Sequence, residues 1–234
     1  MKKMTLVQHF SELKRRILWS VLLFAVFFVG GWYLAPYVQA FLSRPLLSVW
    51  DNGTMLYASV TDGLMIQFSL AALFAIVFTV PVVFWHVWAF VKPGLKKSEQ
   101  QFIWPILVLS PILFIGGCAF VFYFLFPVVF EFFIGLNNAS NVPNVFLPNA
   151  RDYLQFVIRL LQVFGIAFQL PLVMVLLNKI GVLDKVRVIK MRRYAIVAIV
   201  IVAAILTPPD VVSQIMLALP MWALFEVSIL FMRK

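Results

Sequence analysis

The chain is 234 residues long, 64% hydrophobic and 12% charged, with a formal net charge of +10. That composition leaves no room for a separate soluble domain, so one transmembrane domain over residues 1–234 is expected. The lone cysteine, Cys118, excludes an internal disulfide and a cysteine-based zinc site, and a positive charge that would suggest nucleic acid in a soluble chain reads here as a rim facing anionic membrane lipids.

Residues 5–16 read as a short amphipathic helix. Thr5 and Gln8 have capping-box spacing, and Leu6, Phe10 and Leu13 share one face suited to a membrane surface. The first apolar run, 17–34, follows Lys14, Arg15 and Arg16 and so imitates a signal peptide. With about 18 apolar residues and no small-residue cleavage site, it reads as a retained span. The loop over about 35–63 contains Pro36, Pro45 and an Asp51-Asn52-Gly53 turn. Its Tyr37, Phe41, Leu46, Leu47 and Trp50 are too apolar for free solvation, so short helices capping the outer face are expected. Spans follow over 64–90 and 102–126, then a second folded cap over about 127–152 rich in Asn and Pro. The remaining spans are 153–177, 194–206 and 211–232. Most match the roughly 20 helical residues that cross a hydrocarbon core of about 30 Å. Lipid cannot satisfy backbone polar groups, so these runs are helices, and the alternation of a β-barrel is absent. The fold class is therefore all-α: a polytopic membrane protein with six transmembrane helices and structured external loops.

The run 194–206 is short, about 20 Å of helix, and it stops at Pro208-Pro209-Asp210 before turning into the last span. A hairpin of that length needs a thinned bilayer or a sheltered turn. Basic residues fall almost entirely before span 1, between spans 2 and 3, between spans 4 and 5, and after span 6. The opposite side has only Arg44 and Arg151, and Arg159 lies within span 4. The positive-inside rule then places both termini in the cytoplasm.

Polar side chains inside the spans narrow the function. Gln155, Arg159, Gln162 and Gln169 are spaced by four, three and seven residues, which puts them on one helical face about 21 Å long. Such a face looks into a wet concavity or into packed protein; alternatively its outer members snorkel, or Arg159 pairs with Asp152 or Glu131. Two acids, Glu12 and Glu99, stand among many bases on the cytoplasmic side. Glu12 has Arg15 and Arg16 in ion-pair register, and Glu99 follows Ser98 at a helix start. Glu226 is placed to pair with Arg233 or Lys234. The only histidines, His9 and His86, form no metal pattern, and His86 between Trp85 and Trp88 reads as an interfacial anchor. No nucleophile–base pairing and no phosphate-binding loop occurs, so no enzyme and no cofactor are expected. No internal repeat signals an inverted-repeat transporter.

Several motifs in one order carry a family resemblance. They are His9-Phe10-Ser11-Glu12-Leu13, then Val87-Trp88-Ala89-Phe90-Val91-Lys92-Pro93-Gly94-Leu95 with Glu99, Phe164-Gly165-Ile166-Ala167-Phe168-Gln169-Leu170-Pro171, and Leu206-Thr207-Pro208-Pro209-Asp210. Gln214, Pro220, Phe225 and Glu226 also fit. The chain thereby resembles TatC, the multispanning core of the twin-arginine protein translocase. The resemblance implies export of folded proteins across the bacterial cytoplasmic (inner) membrane, driven by the proton-motive force. It implies small single-span partners, TatA and TatB, and a homo-oligomer of this chain within a larger complex. It further implies that Glu12 and Glu99 take the two arginines of a signal peptide, with Phe90 beside them. Carboxylates suit guanidinium groups in bidentate geometry. The position of Gln169 is often an acid in the family; here it is an amide. The polar hairpin 207–214 is expected to dock a partner span through Thr207 and Gln214, or else those side chains merely cap the turn. The competing function is a small-solute secondary transporter with the span 4 stripe as its path, but that function wants charges near the bilayer midplane.

Overall fold

The computed structural model describes residues 6–50, 54–91, 103–138, 147–207 and 210–233, with the backbone alone at 6–9, 91, 103, 104, 137 and 138. The described residues are helical almost throughout. Five segments are long and apolar enough to cross a membrane: Phe10–Leu47, Asp62–Phe90, Pro105–Leu136, Ala150–Lys179 and Val211–Phe231.

Helix α1 (Leu6–Leu47) runs unbroken for 42 residues. The expected surface helix, the first span and much of the expected outer loop are thus one helix, and the end expected at residue 34 moves to Leu47. Proline normally costs an interior helix a backbone bond. Pro36 leaves the carbonyl of Trp32 without its partner, and Gln67 Nε2 of the next helix donates to that oxygen at 3.3 Å. Beyond Pro36, Leu42 and Leu46 are buried in the core, which favours continuing the helix. Helix α2 (Asp62–Val91) returns antiparallel along α1. The two backbones close at Gly31, where a Cβ would lie 2.8 Å from Phe74 Cβ and 3.0 Å from the Ala71 carbonyl.

Helix α3 (Ile103–Phe120) passes through a π turn (Val121–Leu125) into α4 (Phe126–Asn138), so this segment also outlasts its expected end at 126. Pro127 has no N–H for the carbonyl four residues back and its ring crowds that oxygen. The chain relaxes into a wider turn, with the Phe126 N–H bonding the Val121 carbonyl. The expected single span 153–177 is two helices, α5 (Ala150–Ala167) and α6 (Leu170–Lys179), separated at Phe168 and Gln169. Pro171 in the first turn of α6 cannot bond back across this junction. Then come α7 (Lys185–Lys190), α8 (Arg192–Leu206) and α9 (Val211–Phe231).

α2 packs against α1, α3 and α5, while α9 packs against α6 and α8. The core centres on Phe114, Phe126, Phe164, Leu154 and Leu160, all essentially inaccessible. The segment 54–58 is not helical, and residues 59–61 bend and turn into α2. Leu56 donates to the Pro148 carbonyl at 3.0 Å and accepts from Ala150 N–H at 2.9 Å, which ties it to the start of α5. Asp62, buried at the start of α2, bonds Ser59 N–H at 2.8 Å and pairs with Arg151 at 3.3 Å. At the other end of the protein the Asn178 amide holds Arg233 through both main-chain groups, at 2.7 and 3.3 Å, and Lys185 Nζ reaches the Met232 carbonyl at 2.9 Å.

Candidate functional site

The richest polar cluster lies where α1 begins and α2 ends. Glu12 and Arg16 are one helical turn apart, so they share a face, and they form an ion pair with side chains only 16% and 19% exposed. Arg16 also donates through Nη1 to the His86 carbonyl of α2 at 2.7 Å. Ser20, one turn further along α1, donates to the Arg16 carbonyl at 2.9 Å and sits 3.0 Å from His86 Nδ1. The four side chains therefore stitch the two helices together at this end. One oxygen of Glu12, Oε2, is buried and has no hydrogen-bond partner among the described residues. A buried carboxylate oxygen left without a donor is costly.

Beside the cluster opens an apolar groove of about 370 Å³ between α1 and α2. Arg16, His86 and Phe90 stand at its polar end, and Phe24, Thr79 and Val83 lie deeper. Phe90 therefore lies in the same site as the Glu12–Arg16 pair. Glu99, the other expected arginine ligand, falls outside the described residues. Sequence reasoning took His86 for an interfacial anchor and missed its contacts with Arg16 and Ser20. The available signal was Ser20, a polar residue one turn past Arg16 in an apolar run.

The span 4 stripe divides in two. Gln155, Arg159 and Gln162 share the outward face of α5; Arg159 is exposed and the two glutamines are half-buried. Arg159 pairs with neither Asp152 nor Glu131, and no partner for it occurs among the described residues. Gln169 does not continue this face. The helix break turns it inward, where it is 3% exposed and bonds Ser110 of α3 twice. Its Oε1 accepts from Ser110 Oγ at 3.0 Å, and its Nε2 donates to the Ser110 carbonyl at 2.7 Å. A single 3.6-residue period cannot be carried across a break, which is why sequence spacing put Gln169 on the wrong face.

At the α8–α9 hairpin both expected docking residues have partners within the chain. Thr207 Oγ1 donates to the Ala203 carbonyl at 3.0 Å, and Gln214 Nε2 donates to the Val200 carbonyl at 3.1 Å. Asp210 caps α9, accepting the Ser213 N–H at 2.7 Å and its hydroxyl. Glu226 pairs with Arg192 of α8 at 2.7 Å, and not with Arg233 as its spacing suggested. The short α8 buries only Ile199 and Ala203, and it presents Ile196, Val197, Ile201 and Ile205 outward.

An all-helical, multi-pass membrane protein with a half-buried acidic site at one end of its first helix pair is thus defined. Its sequence matches the family of Sec-independent protein translocase proteins (TatC) over residues 8–220. The Magnetococcus marinus protein of that name is 35% identical, with 99% of this chain and 85% of the relative aligned. The TatCy protein of Bacillus subtilis is 33% identical, covering 97% of this chain and 88% of the relative. A crystal structure described as the twin arginine translocase receptor TatC superposes with a TM-score of 0.86 at 30% identity, covering 95% of this chain and 97% of that one. A second, of that receptor in the detergent DDM, gives 0.88 at 30% identity, covering 97% and 100%. The chain belongs to the TatC family. It is a protein-translocase component of a non-enzymatic family, and it works with other Tat components. The small-solute transporter finds no support in these matches.

Proposed function

We propose that this chain is the core and signal-peptide receptor of a twin-arginine translocase in a bacterial cytoplasmic membrane, exporting folded proteins at the expense of the proton-motive force. The observation that carries the reading is the Glu12 carboxylate. One oxygen is held by the chain's own Arg16, which lines a groove together with Phe90, and the other is buried without a partner among the described residues. A guanidinium of the signal peptide completes that carboxylate, and Glu99 takes the second arginine. The apolar groove beyond Arg16 suits the apolar residues that follow.

In this reading residues 1–234 form one membrane domain with both termini in the cytoplasm, supported by the one-sided basic loops. α8 is the fifth of six spans. Its 15 residues make about 22 Å of helix, so it crosses a locally thinned bilayer. TatA and TatB spans dock at the α8–α9 hairpin, where the apolar surface of α8 is uncovered, and the complex holds several copies of this chain.

The test is binding of a fluorescent peptide with paired arginines to the full chain in nanodiscs. Glu12→Gln keeps the shape and removes the charge. A charge-assisted bond contributes about 1.5–3 kcal/mol, so affinity is expected to fall roughly ten- to 150-fold. Changing the peptide's arginines to lysine is expected to weaken binding to the native chain as well. Unchanged affinity in the double variant Glu12→Gln, Glu99→Gln refutes the assignment.

A further inference from the structure

The uncompensated charge of α5 is used by nothing described above. Arg159 lies nine residues from Ala150, so about 13 Å along the helix axis. The whole apolar segment Ala150–Lys179 has 30 residues, about 45 Å of helix if straight. A hydrocarbon core of about 30 Å centred on it begins some 7 Å from its end, so the Arg159 backbone sits about 6 Å inside. A bare guanidinium there is unfavourable, and intramembrane charges normally face a partner. Arg159 is nevertheless exposed, flanked one turn away on either side by Gln155 and Gln162, and none of the three has a hydrogen-bond or ion-pair partner among the described residues.

We propose that this face of α5 docks a membrane-spanning helix of another polypeptide that carries one carboxylate level with Arg159. The carboxylate pairs with the guanidinium, and the two glutamines bond polar or main-chain groups on either side of it. Charge complementarity selects an acidic helix. A second copy of this chain does not supply one. Asp152 lies about 10 Å nearer the end of the same helix. Glu131 lies near the far end of Pro105–Leu136, beyond the core, and Glu226 is committed to Arg192. The surface is distinct from the α8–α9 hairpin, since Arg159 is exposed while α8 packs mainly against α9.

The full-length chain is reconstituted in neutral phosphatidylcholine nanodiscs, with Cys118→Ala and Ile166→Cys carrying a fluorophore on the exposed face. The probe is a synthetic Leu/Ala helix of about 20 residues bearing one Glu at the level of Arg159 and a quencher at one end. Matched peptides carry Gln or Lys in place of the Glu. The Glu peptide is expected to bind roughly three- to thirtyfold more tightly than the Gln peptide, the range that interhelical polar contacts give in membranes. Arg159→Gln is expected to erase the preference, Arg159→Lys to retain most of it, and Arg159→Glu to transfer it to the Lys peptide. Elution of each variant as a single species confirms folding. Equal binding of the Glu and Gln peptides, or a Glu preference that survives Arg159→Gln, overturns the proposal. So does loss of the preference when phosphatidylglycerol is included, since Arg159 is then held by lipid phosphate.

Discussion

Replacing Gln169 by Leu tests whether the buried amide is structural. The side chain makes two hydrogen bonds to Ser110, at 3.0 and 2.7 Å, and is 3% exposed. Leu fills a similar volume, so the main loss is polar. Interhelical hydrogen bonds in membranes average about 0.6 kcal/mol and reach about 2, so two geometrically good bonds predict a loss of about 1–3 kcal/mol. Ser110→Ala alone removes one of the two bonds, because its carbonyl still accepts from Gln169 Nε2. In the double variant the coupling energy is expected to be about 0.5–2 kcal/mol. The assay is reversible unfolding in mixed detergent micelles, followed by tryptophan fluorescence. A coupling within about 0.3 kcal/mol of zero, the usual range for independent sites, refutes the structural role. An export measurement beside it separates the functions. If the amide only pins α5 to α3, transport per folded molecule stays at the native level in Gln169→Leu. The amide itself carries no exchangeable acidic proton, so coupling to a proton gradient has to use another group.

Two further outcomes follow from the packing. Gly165→Ala places a Cβ 2.5 Å from the ring of Phe114, a fully buried side chain, and is expected to destabilise the protein by about 1–3 kcal/mol in the same unfolding assay, whereas Gly116→Ala, which meets nothing within 4 Å, is expected to be neutral or stabilising. Replacing Thr207 and Gln214 together by Leu removes two bonds to α8 carbonyls. If the hairpin docks a partner span, recovery of co-purified TatB falls while crosslinks from Glu12 to the signal peptide persist; if the side chains serve only as caps, recovery is unchanged and only thermal stability drops, by about 1 kcal/mol.

The sequence determined the parts of this protein that follow from composition along one helix. Apolar runs long enough for lipid make helices wherever they occur, and the pairing of Glu12 with Arg16 follows from one turn of helical spacing. What it misjudged were helix limits at prolines. Pro36 and Pro127 read as ends, yet α1 continues because Gln67 of α2 satisfies the freed carbonyl of Trp32, and the helix around Pro127 widens into a π turn instead of stopping. Pro171 does break its helix, and local sequence offers no way to tell it from the other two. The deciding groups lie on neighbouring helices. The same holds for the polar side chains. Ser110 is 59 positions from Gln169 and His86 is 70 from Arg16, so each partnership exists only after the helices pack. Arg159 shows the converse: its spacing offered Asp152 as a partner, and only the packed structure leaves its charge uncovered on the outer face of α5.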